Sequence, residues 1–126
     1  MAETAAGARR ALGSFGEQVA AQALHRSGMS ILDRNWTSRY GEIDIVARDG
    51  SSLVVVEVKT RRSVRFGSPF EAVVPQKVRR LRRLTGLWIE ANRGELGWMR
   101  GVRIDVVAVW CFDGRPPVVE HLRGVS

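Results

Sequence analysis

Two apolar segments, residues 41–48 and 53–60, are separated by a short polar turn, and together they limit what this chain can fold into more than any other feature. The first alternates charged and apolar residues, whereas the second is apolar at most positions. Alternation is typical of a strand with one polar face, and a valine-rich run is typical of a strand buried on both faces. Asp49-Gly50 between them is a strong signal for a two-residue hairpin turn. The sequence therefore predicts an antiparallel strand pair within a central sheet.

The register of this hairpin determines which charged residues meet. With Asp49 and Gly50 as the loop, position 44 faces position 55 and position 42 faces position 57, and directly paired residues project from the same face. The residues predicted to share one face are Glu42, Asp44, Val55, Glu57 and Lys59. Asp44 and Glu57 then become diagonal neighbours about 7 to 8 Å apart, a separation suited to two carboxylates that bridge a divalent cation. The alternative is a solvated face on which the carboxylates and Lys59 form weak cross-strand ion pairs.

Hydrophobic periodicity elsewhere predicts two helices and three further strands. The first helix covers 12–24 and the second covers 75–91, where a proline at the start and a glycine beyond the end are favourable boundary residues. The remaining strands are predicted at 29–35, 102–112 and 118–122. We expect residues 1–11 to be frayed and residues 61–69 to form an exposed loop. The order α-β-β-β-α-β-β predicts one α/β domain, residues 1–126, with helices flanking a mixed central sheet.

Composition excludes several classes of protein. No apolar run approaches the ~20 residues that span a bilayer, and the N-terminal segment has no apolar block of a secretory signal, so we expect a cytoplasmic protein without a membrane partner. Its one cysteine forms no internal disulfide, and with two histidines it supplies too few ligands for a zinc site of the Cys/His type.

The charge of the chain favours a polyanionic partner. Lys and Arg number 20 against 13 Asp and Glu, which gives a formal net charge of +7 and favours nucleic acid. Lys59 and Lys77 are the only lysines, which indicates either chance or positions where a compact ammonium is needed. The residues predicted to contact nucleic acid are Arg61, Arg62, Gln76, Lys77, Arg79, Arg80 and Arg83. A solvated arginine face is the alternative for the helix, and snorkelling from the edge of the core is the alternative for Lys77.

Several segments together are similar to the YraN-type family of small, uncharacterised bacterial proteins. The segments are GEQVAAQAL, NWTSRYGEIDIVARDG, VVVEVKTRRS, FGSPFEAV and RIDVVAV, and the resemblance covers about residues 13–110. Within them, Asp44 and the run Glu57-Val58-Lys59, after a helix that carries Glu17, resemble the core of PD-(D/E)xK nucleases. Here Ile43 stands where that pattern often has proline. The resemblance implies a restriction-endonuclease-like α/β fold, nucleic acid as the partner, with DNA the expected kind and RNA the alternative, and Mg²⁺ as the cofactor, with Mn²⁺ as a substitute.

The same resemblance implies a role for each residue of the motif. Asp44 and Glu57 would hold Mg²⁺ together with the Val58 carbonyl, and Lys59 would orient or deprotonate the attacking water, or would stabilise the charge of the pentavalent transition state. Glu17 is either a further carboxylate of this site or half of a capping box with Ser14. Glu42 is either an additional ligand or an ordinary charge at the strand edge.

Two hypotheses about function follow. The first is a metal-dependent nuclease that processes DNA during repair or recombination, and the second is a non-catalytic nucleic-acid-binding module with a nuclease-like fold. Trp36 and Tyr40, which flank the first hairpin strand, are candidates for stacking on bases, with packing as the alternative. A homodimer is compatible with the size of the chain, but no segment identifies a dimer face.

Overall fold

The computed structural model describes residues 4–62 and 74–125. Its elements are α1 (Ala5–Arg26), β1 (Ser30–Ser38), β2 (Gly41–Asp49), β3 (Ser52–Arg61), α2 (Pro75–Ala91), a short 3-10 turn (Arg93–Glu95), β4 (Gly101–Trp110) and β5 (Val118–Leu122). The predicted α/β class and the predicted order of helices and strands are confirmed. Strand β3 continues to Arg61, the first residue of the loop predicted at 61–69. Residues 63–69 of that predicted loop lie outside the described residues.

The five strands form one sheet in the order β1-β2-β3-β4-β5. All neighbouring pairs are antiparallel except β3 and β4, which are parallel. Parallel neighbours require a crossover connection, and α2 lies between these two strands in the chain. β3 therefore has a neighbour on each side and a helix against each face, which explains its valine-rich sequence.

The two helices cover opposite faces of the sheet. Residues of α1, including Ala20 and Leu24, form one buried cluster with strand residues such as Ile45, Val54, Val56, Val107 and Val109. Leu84 and Trp88 of α2 form a second cluster with Ile43, Val46, Leu53 and Val55. Each large apolar side chain buried in this way stabilises the fold by about 1.5–3 kcal/mol. The result is three layers, helix on sheet on helix, as the strand and helix order predicted.

Helix α1 begins seven residues earlier than the sequence predicted. The Thr4 side chain accepts a hydrogen bond of 3.0 Å from the amide of Gly7, which caps the helix at Ala5. Alanine and arginine, which dominate residues 5–11, are strong helix formers. The expectation of a frayed segment is therefore wrong for residues 5–11, and the Ser14 capping box does not form because Ser14 lies inside the helix. Neither α1 nor α2, the two α-helices of the described residues, is long and apolar enough to cross a membrane.

The hairpin of β2 and β3 is confirmed, but its register differs from the prediction. Asp49 pairs with Ser52, so the two loop residues are Gly50 and Ser51 rather than Asp49 and Gly50. Gly50 has a φ of 62°, and a glycine with positive φ at the first loop position is typical of a type II′ turn. The partner of each β2 residue therefore shifts by two positions along β3. The ladder extended in this register places position 44 opposite position 57, not opposite position 55.

Candidate active site

Strand β2 changes its side-chain alternation at Asp44. Ile43 packs in the cluster beside α2, whereas Ile45 packs in the cluster beside α1. Residues two apart in a regular strand share a face, so the strand is distorted between them. Asn35 of β1 faces this point and has a φ of 53°, in the left-handed region. The distortion turns Asp44 towards α1 at the place where the regular pairing of β2 with β3 ends, at Ile45.

Three carboxylates from two elements meet at this distortion. Glu17 of α1 and Glu42 and Asp44 of β2 each offer an oxygen, and these oxygens lie within 4.8 Å of one another. The Val58 amide of β3 donates a 2.8 Å hydrogen bond to Oδ2 of Asp44 and so orients this carboxylate. Glu17 and Asp44 are partly buried, whereas Glu42 is exposed. Oxygen donors from several carboxylates are the ligands that Mg²⁺ and Mn²⁺ prefer.

The electrostatics of this cluster disfavour its negative charge when no cation is present. Burial, assisted by the nearby carboxylate of Glu57, raises the pKa of Asp44 to about 7 although the Val58 amide opposes the shift. Burial also raises the pKa of Glu17. A divalent cation would offset both the repulsion and the lost hydration. The donor set therefore fits the metal that the sequence resemblance implies.

Glu57 makes different contacts from the predicted ones. Its Oε1 lies 2.9 Å from Nζ of Lys59 and 3.5 Å from Nζ of Lys77, which reaches the strand from α2. Among the described residues, Glu57 does not belong to the compact group of carboxylates around Asp44. Its 8% exposure makes the two ammonium partners important, because a buried carboxylate needs compensation. Whether Glu57 ligates a metal through rearrangement stays a prediction.

The prediction that five hairpin residues share one face is wrong. Val55 packs in the cluster beside α2, and Glu57 contacts Lys77 of α2. Glu42 and Asp44 instead meet Glu17 of α1. The physical reason is the distortion of β2 at Asp44, which simple alternation does not anticipate. The site thus lies where β2 and β3 separate, and both helices contribute to it.

The two lysines influence each other's protonation. The neighbouring Lys59 ammonium lowers the pKa of Lys77. Burial opposes the charge on Lys59, but the Glu57 carboxylate raises the pKa of Lys59 above its ordinary value. The Glu57 carboxylate, which contacts both ammonium groups, is the charge that compensates this mutual repulsion. Lys77 thus reaches from α2 to the Glu57 carboxylate of β3, and its contact with nucleic acid stays a prediction.

A cavity of about 330 Å³ lies beside these groups. Its walls come from α1 and from the end of β3, and they include Arg9, Glu17, Val58, Lys59 and Arg61. Two guanidinium groups, one ammonium and one carboxylate thus line a space large enough for a phosphate group and water. Arg9 was missed by the sequence analysis because residues 1–11 were expected to be frayed. The alanine-rich composition of that segment was the available signal.

The other residues predicted to contact nucleic acid line neighbouring cavities. Arg62 lines one together with Arg9. Gln76, Lys77 and Arg80 line a second, and Arg79, Arg80 and Arg83 line a third. Their surfaces are accessible and strongly basic, while contact with nucleic acid itself stays a prediction.

Comparison with known proteins places the chain among its relatives. A model of the uncharacterised protein family UPF0102 matches residues 16–109. The chain belongs to the UPF0102 family. A UPF0102 protein of Kineococcus radiotolerans is 56% identical over 119 residues, which cover 94% of this chain and 96% of the relative. UPF0102 proteins of Streptomyces griseus and Acidothermus cellulolyticus are 53% and 51% identical, and the matches cover 94% and 98% of this chain and 98% of each relative. The YraN-type resemblance is thereby confirmed.

The part of this UPF0102 chain that the family model matches contains Glu17, Glu42, Asp44, Glu57 and Lys59. Arg9 lies on the N-terminal side of the matched part. The names of the relatives state no activity and no ligand. The function of a UPF0102 protein must therefore be argued from the chemistry of the site.

A second charged network in the UPF0102 chain lies on β4 and β5. Asp105 is fully buried and accepts hydrogen bonds from Arg103, from Nε2 of His121 at 2.7 Å, and from the amide of Gly124 at 3.0 Å. Burial opposes ionisation, but these bonds hold the pKa of Asp105 at about 2. The sequence by itself assigns no role to Asp105. The structure shows that it joins β4 to β5 and to the segment after β5.

Proposed function

We propose that this UPF0102 protein is a Mg²⁺-dependent nuclease that cleaves phosphodiester bonds of DNA, including branched or single-stranded DNA of the kind that arises in repair and recombination. One observation carries the proposal. Glu17, Glu42 and Asp44 bring three carboxylate oxygens within 4.8 Å of one another, next to a cavity that Lys59 also lines. This combination of oxygen ligands and an ammonium is suited to hydrolysis of a phosphate ester.

The carboxylates of Glu17, Glu42 and Asp44 would hold the ion. When bound there, Mg²⁺ supplies neutralisation of phosphate charge and a lower pKa for a coordinated water. The Val58 amide keeps the Asp44 carboxylate oriented, so that this residue needs little rearrangement before it binds. Glu57 acts on Lys59 instead, since its Oε1 lies 2.9 Å from the Lys59 ammonium.

Lys59 and the two arginines of the cavity act on the phosphate. Lys59 orients the attacking water and stabilises the additional negative charge that develops in the transition state. Arg9 and Arg61, which line the same cavity, bind the non-bridging phosphate oxygens by charge-assisted hydrogen bonds. The water oxygen forms a bond to phosphorus and gives up one proton to the surrounding water, while the ester P–O bond breaks and the leaving oxygen takes up one proton from the surrounding water to become a hydroxyl.

The second hypothesis, a non-catalytic nucleic-acid-binding module, also has an observation in its favour. Glu57 is paired with both Lys59 and Lys77, and in this arrangement its carboxylate is a charge partner for lysines rather than a metal ligand. A binding module needs the basic surface but not the carboxylate cluster. A substitution that removes a carboxylate of the cluster therefore distinguishes the two hypotheses, because it should abolish catalysis by a nuclease and leave the function of a binding module intact.

The test is cleavage of labelled linear, single-stranded, flapped and four-way DNA, with a single-stranded RNA beside them, in Mg²⁺, Mn²⁺ or EDTA. The variants are Asp44→Asn and Lys59→Met, and the control is Glu90→Gln, which changes an exposed carboxylate on α2. The nuclease hypothesis predicts metal-dependent cleavage that falls by at least ~100-fold in both site variants and stays unchanged in the control. DNA binding without cleavage in either metal would support the binding module. Absence of both binding and cleavage would contradict both hypotheses.

A further inference from the structure

The turn between β1 and β2 presents an aromatic ring to the arginines of α2. Tyr40 lies in this turn and is 38% exposed. The guanidinium carbon of Arg83 stands 3.8 Å from the centroid of the Tyr40 ring, and that of Arg39 stands 5.0 Å from it. These are cation–π contacts, which hold the flat guanidinium groups against the ring. A long and flexible side chain such as Arg83 is therefore positioned before any ligand arrives.

A cavity of about 390 Å³ opens beside this pair. It is lined by Tyr40, Leu84 and three arginines of α2, Arg79, Arg80 and Arg83. Within residues 4–62 and 74–125, none of these three arginines forms an ion pair with a carboxylate. Three positive charges around one space repel each other, and an anion placed among them relieves that repulsion. The lining is thus complementary to a phosphate.

Helix α2 links this cavity to the candidate active site through residues that line adjacent spaces. Arg80 also lines a neighbouring cavity of about 360 Å³ together with Gln76 and Lys77. Lys77 in turn lies 3.5 Å from Glu57. From Lys77 to Arg83 the helix axis advances about 9 Å, at 1.5 Å per residue. One nucleic-acid strand can therefore pass from the active site along the basic side of α2 to Tyr40.

We propose that Tyr40 and Arg83, flanked by Arg79 and Arg80, form a subsite that holds a single-stranded segment of the nucleic-acid substrate. A backbone phosphate lies among the guanidinium groups, and an unpaired base stacks on the Tyr40–Arg83 pair. This subsite deepens the proposed nuclease function and rests on it for the identity of the substrate. It extends that function by assigning an aromatic contact and a preference for unpaired bases.

The preference for a single strand follows from the aromatic ring. A base stacks on an aromatic side chain or on a guanidinium plane only when its own face is free, and in a duplex both faces are covered by neighbouring bases. A subsite made of arginines alone would bind the phosphates of either form. Tyr40 is therefore the residue that makes the subsite bind single strands in preference to duplexes.

The experiment measures binding without cleavage. Fluorescence anisotropy in EDTA, at several salt concentrations, follows a labelled single-stranded 20-mer and the corresponding duplex. The variants are Tyr40→Ala, Tyr40→Phe and Arg83→Ala. The matched control is Arg115→Ala, which removes one exposed arginine from the turn between β4 and β5. Thermal unfolding of each variant verifies that it is folded.

The subsite predicts a pattern across these variants. Tyr40→Ala and Arg83→Ala weaken single-strand binding by about fivefold or more, which is the lower range for the loss of one stacked base. Tyr40→Phe keeps the ring and stays within about twofold of the wild type, as does Arg115→Ala. Tyr40→Ala changes duplex binding by less than about twofold. Arg83→Ala also reduces the slope of log K against log salt by about 0.7 for the single strand.

Other outcomes overturn the subsite. No single-strand binding by the wild type, an unchanged affinity in Tyr40→Ala, or equal losses on single strand and duplex would each exclude stacking at Tyr40. The nuclease proposal fails on a different result, the absence of metal-dependent cleavage by the wild type. If the wild type does not cleave but the variants show the predicted binding pattern, the subsite is supported and the nuclease proposal is contradicted. If the wild type cleaves but Tyr40→Ala binds the single strand as tightly as the wild type, the nuclease proposal is supported and the subsite is contradicted.

Discussion

Gly16 of α1 lies so close to Thr60 of β3 that a Cβ on Gly16 would stand 1.9 Å from Oγ1 of Thr60. The helix and the strand can make this approach only because residue 16 has no side chain. Glu17 is the next residue, and it brings its carboxylate to Asp44 of β2. The spacing between α1 and β3 therefore sets the position of the carboxylate cluster.

Gly16→Ala should displace α1 from β3. We expect a decrease of about 1–3 kcal/mol in the free energy of unfolding, since overpacking a buried contact has this magnitude, together with weaker binding of Mg²⁺. Urea unfolding and the increase in Tm on addition of Mg²⁺ measure the two effects. Gly86→Ala is the matched control, because nothing lies within 4 Å of a Cβ at this exposed position of α2. That substitution should stabilise the protein by about 0.5–1 kcal/mol. Equal effects of the two substitutions would contradict the close approach at Gly16.

Asp44→Asn should stabilise the metal-free protein and abolish the effect of Mg²⁺ on stability. The pKa of Asp44 is raised to about 7, chiefly by burial, so the folded state disfavours the ionised carboxylate at pH 8 and the neutral amide removes this penalty. We expect a gain of about 1–3 kcal/mol in the free energy of unfolding in EDTA at pH 8. The amide oxygen retains the hydrogen bond from Val58. Thermal unfolding with and without Mg²⁺ measures both effects, and a destabilised variant in EDTA would contradict the proposed penalty on the buried, ionised Asp44 carboxylate.

Asp105 should make the fold sensitive to acid. Its pKa is about 2 in the folded protein and about 3.9 in an unfolded chain. Stabilisation by the ionised form is therefore complete above about pH 4 and is lost as the pH falls towards 2. We expect Asp105→Asn to lower the free energy of unfolding at pH 7 by at least ~2 kcal/mol, since Arg103 and His121 lose their buried partner.

The measurement for Asp105 is urea unfolding of the wild type and of Asp105→Asn at pH 7, 4, 3 and 2. The difference between the two proteins should shrink between pH 4 and 2, the interval between the unfolded and the folded pKa of Asp105. A difference that does not change over this interval would contradict the low pKa of Asp105.

Arg9→Ala should impair the action on nucleic acid without loss of stability. Arg9 lines the same cavity as Glu17 and Lys59, whereas the next residue, Arg10, is also exposed but does not line that cavity. We expect the cleavage rate to fall by about tenfold in Arg9→Ala and by less than about twofold in Arg10→Ala, because only Arg9 is placed to bind the reacting phosphate. Single-turnover cleavage in Mg²⁺ compares them. Equal decreases would indicate a general effect of net charge instead.

Local patterns were sufficient for most of the secondary structure. The bounds of α2 and β5 agree with the prediction, because a proline start, an apolar stripe and a turn pair are signals contained in neighbouring residues. The same signals predicted the β2–β3 hairpin, but not its loop residues. Two of the three residues Asp49, Gly50 and Ser51 form the loop, and which two depends on whether Gly50, with its positive φ, takes the first or the second loop position. That placement is coupled to the packing of both strands, which a two-residue motif does not contain.

The sequence by itself determined the helix and strand order, the basic surface and the residue types of the site, because periodicity, charge and motif spacing are local properties. Only the tertiary structure decided how the carboxylates group. Glu17 reaches Asp44 through the Gly16–Thr60 contact, and Asp44 turns towards α1 at a distortion of β2. Glu57 instead meets Lys77, which the chain brings from α2. These contacts join residues far apart in sequence, and packing rather than local preference determines which of them form.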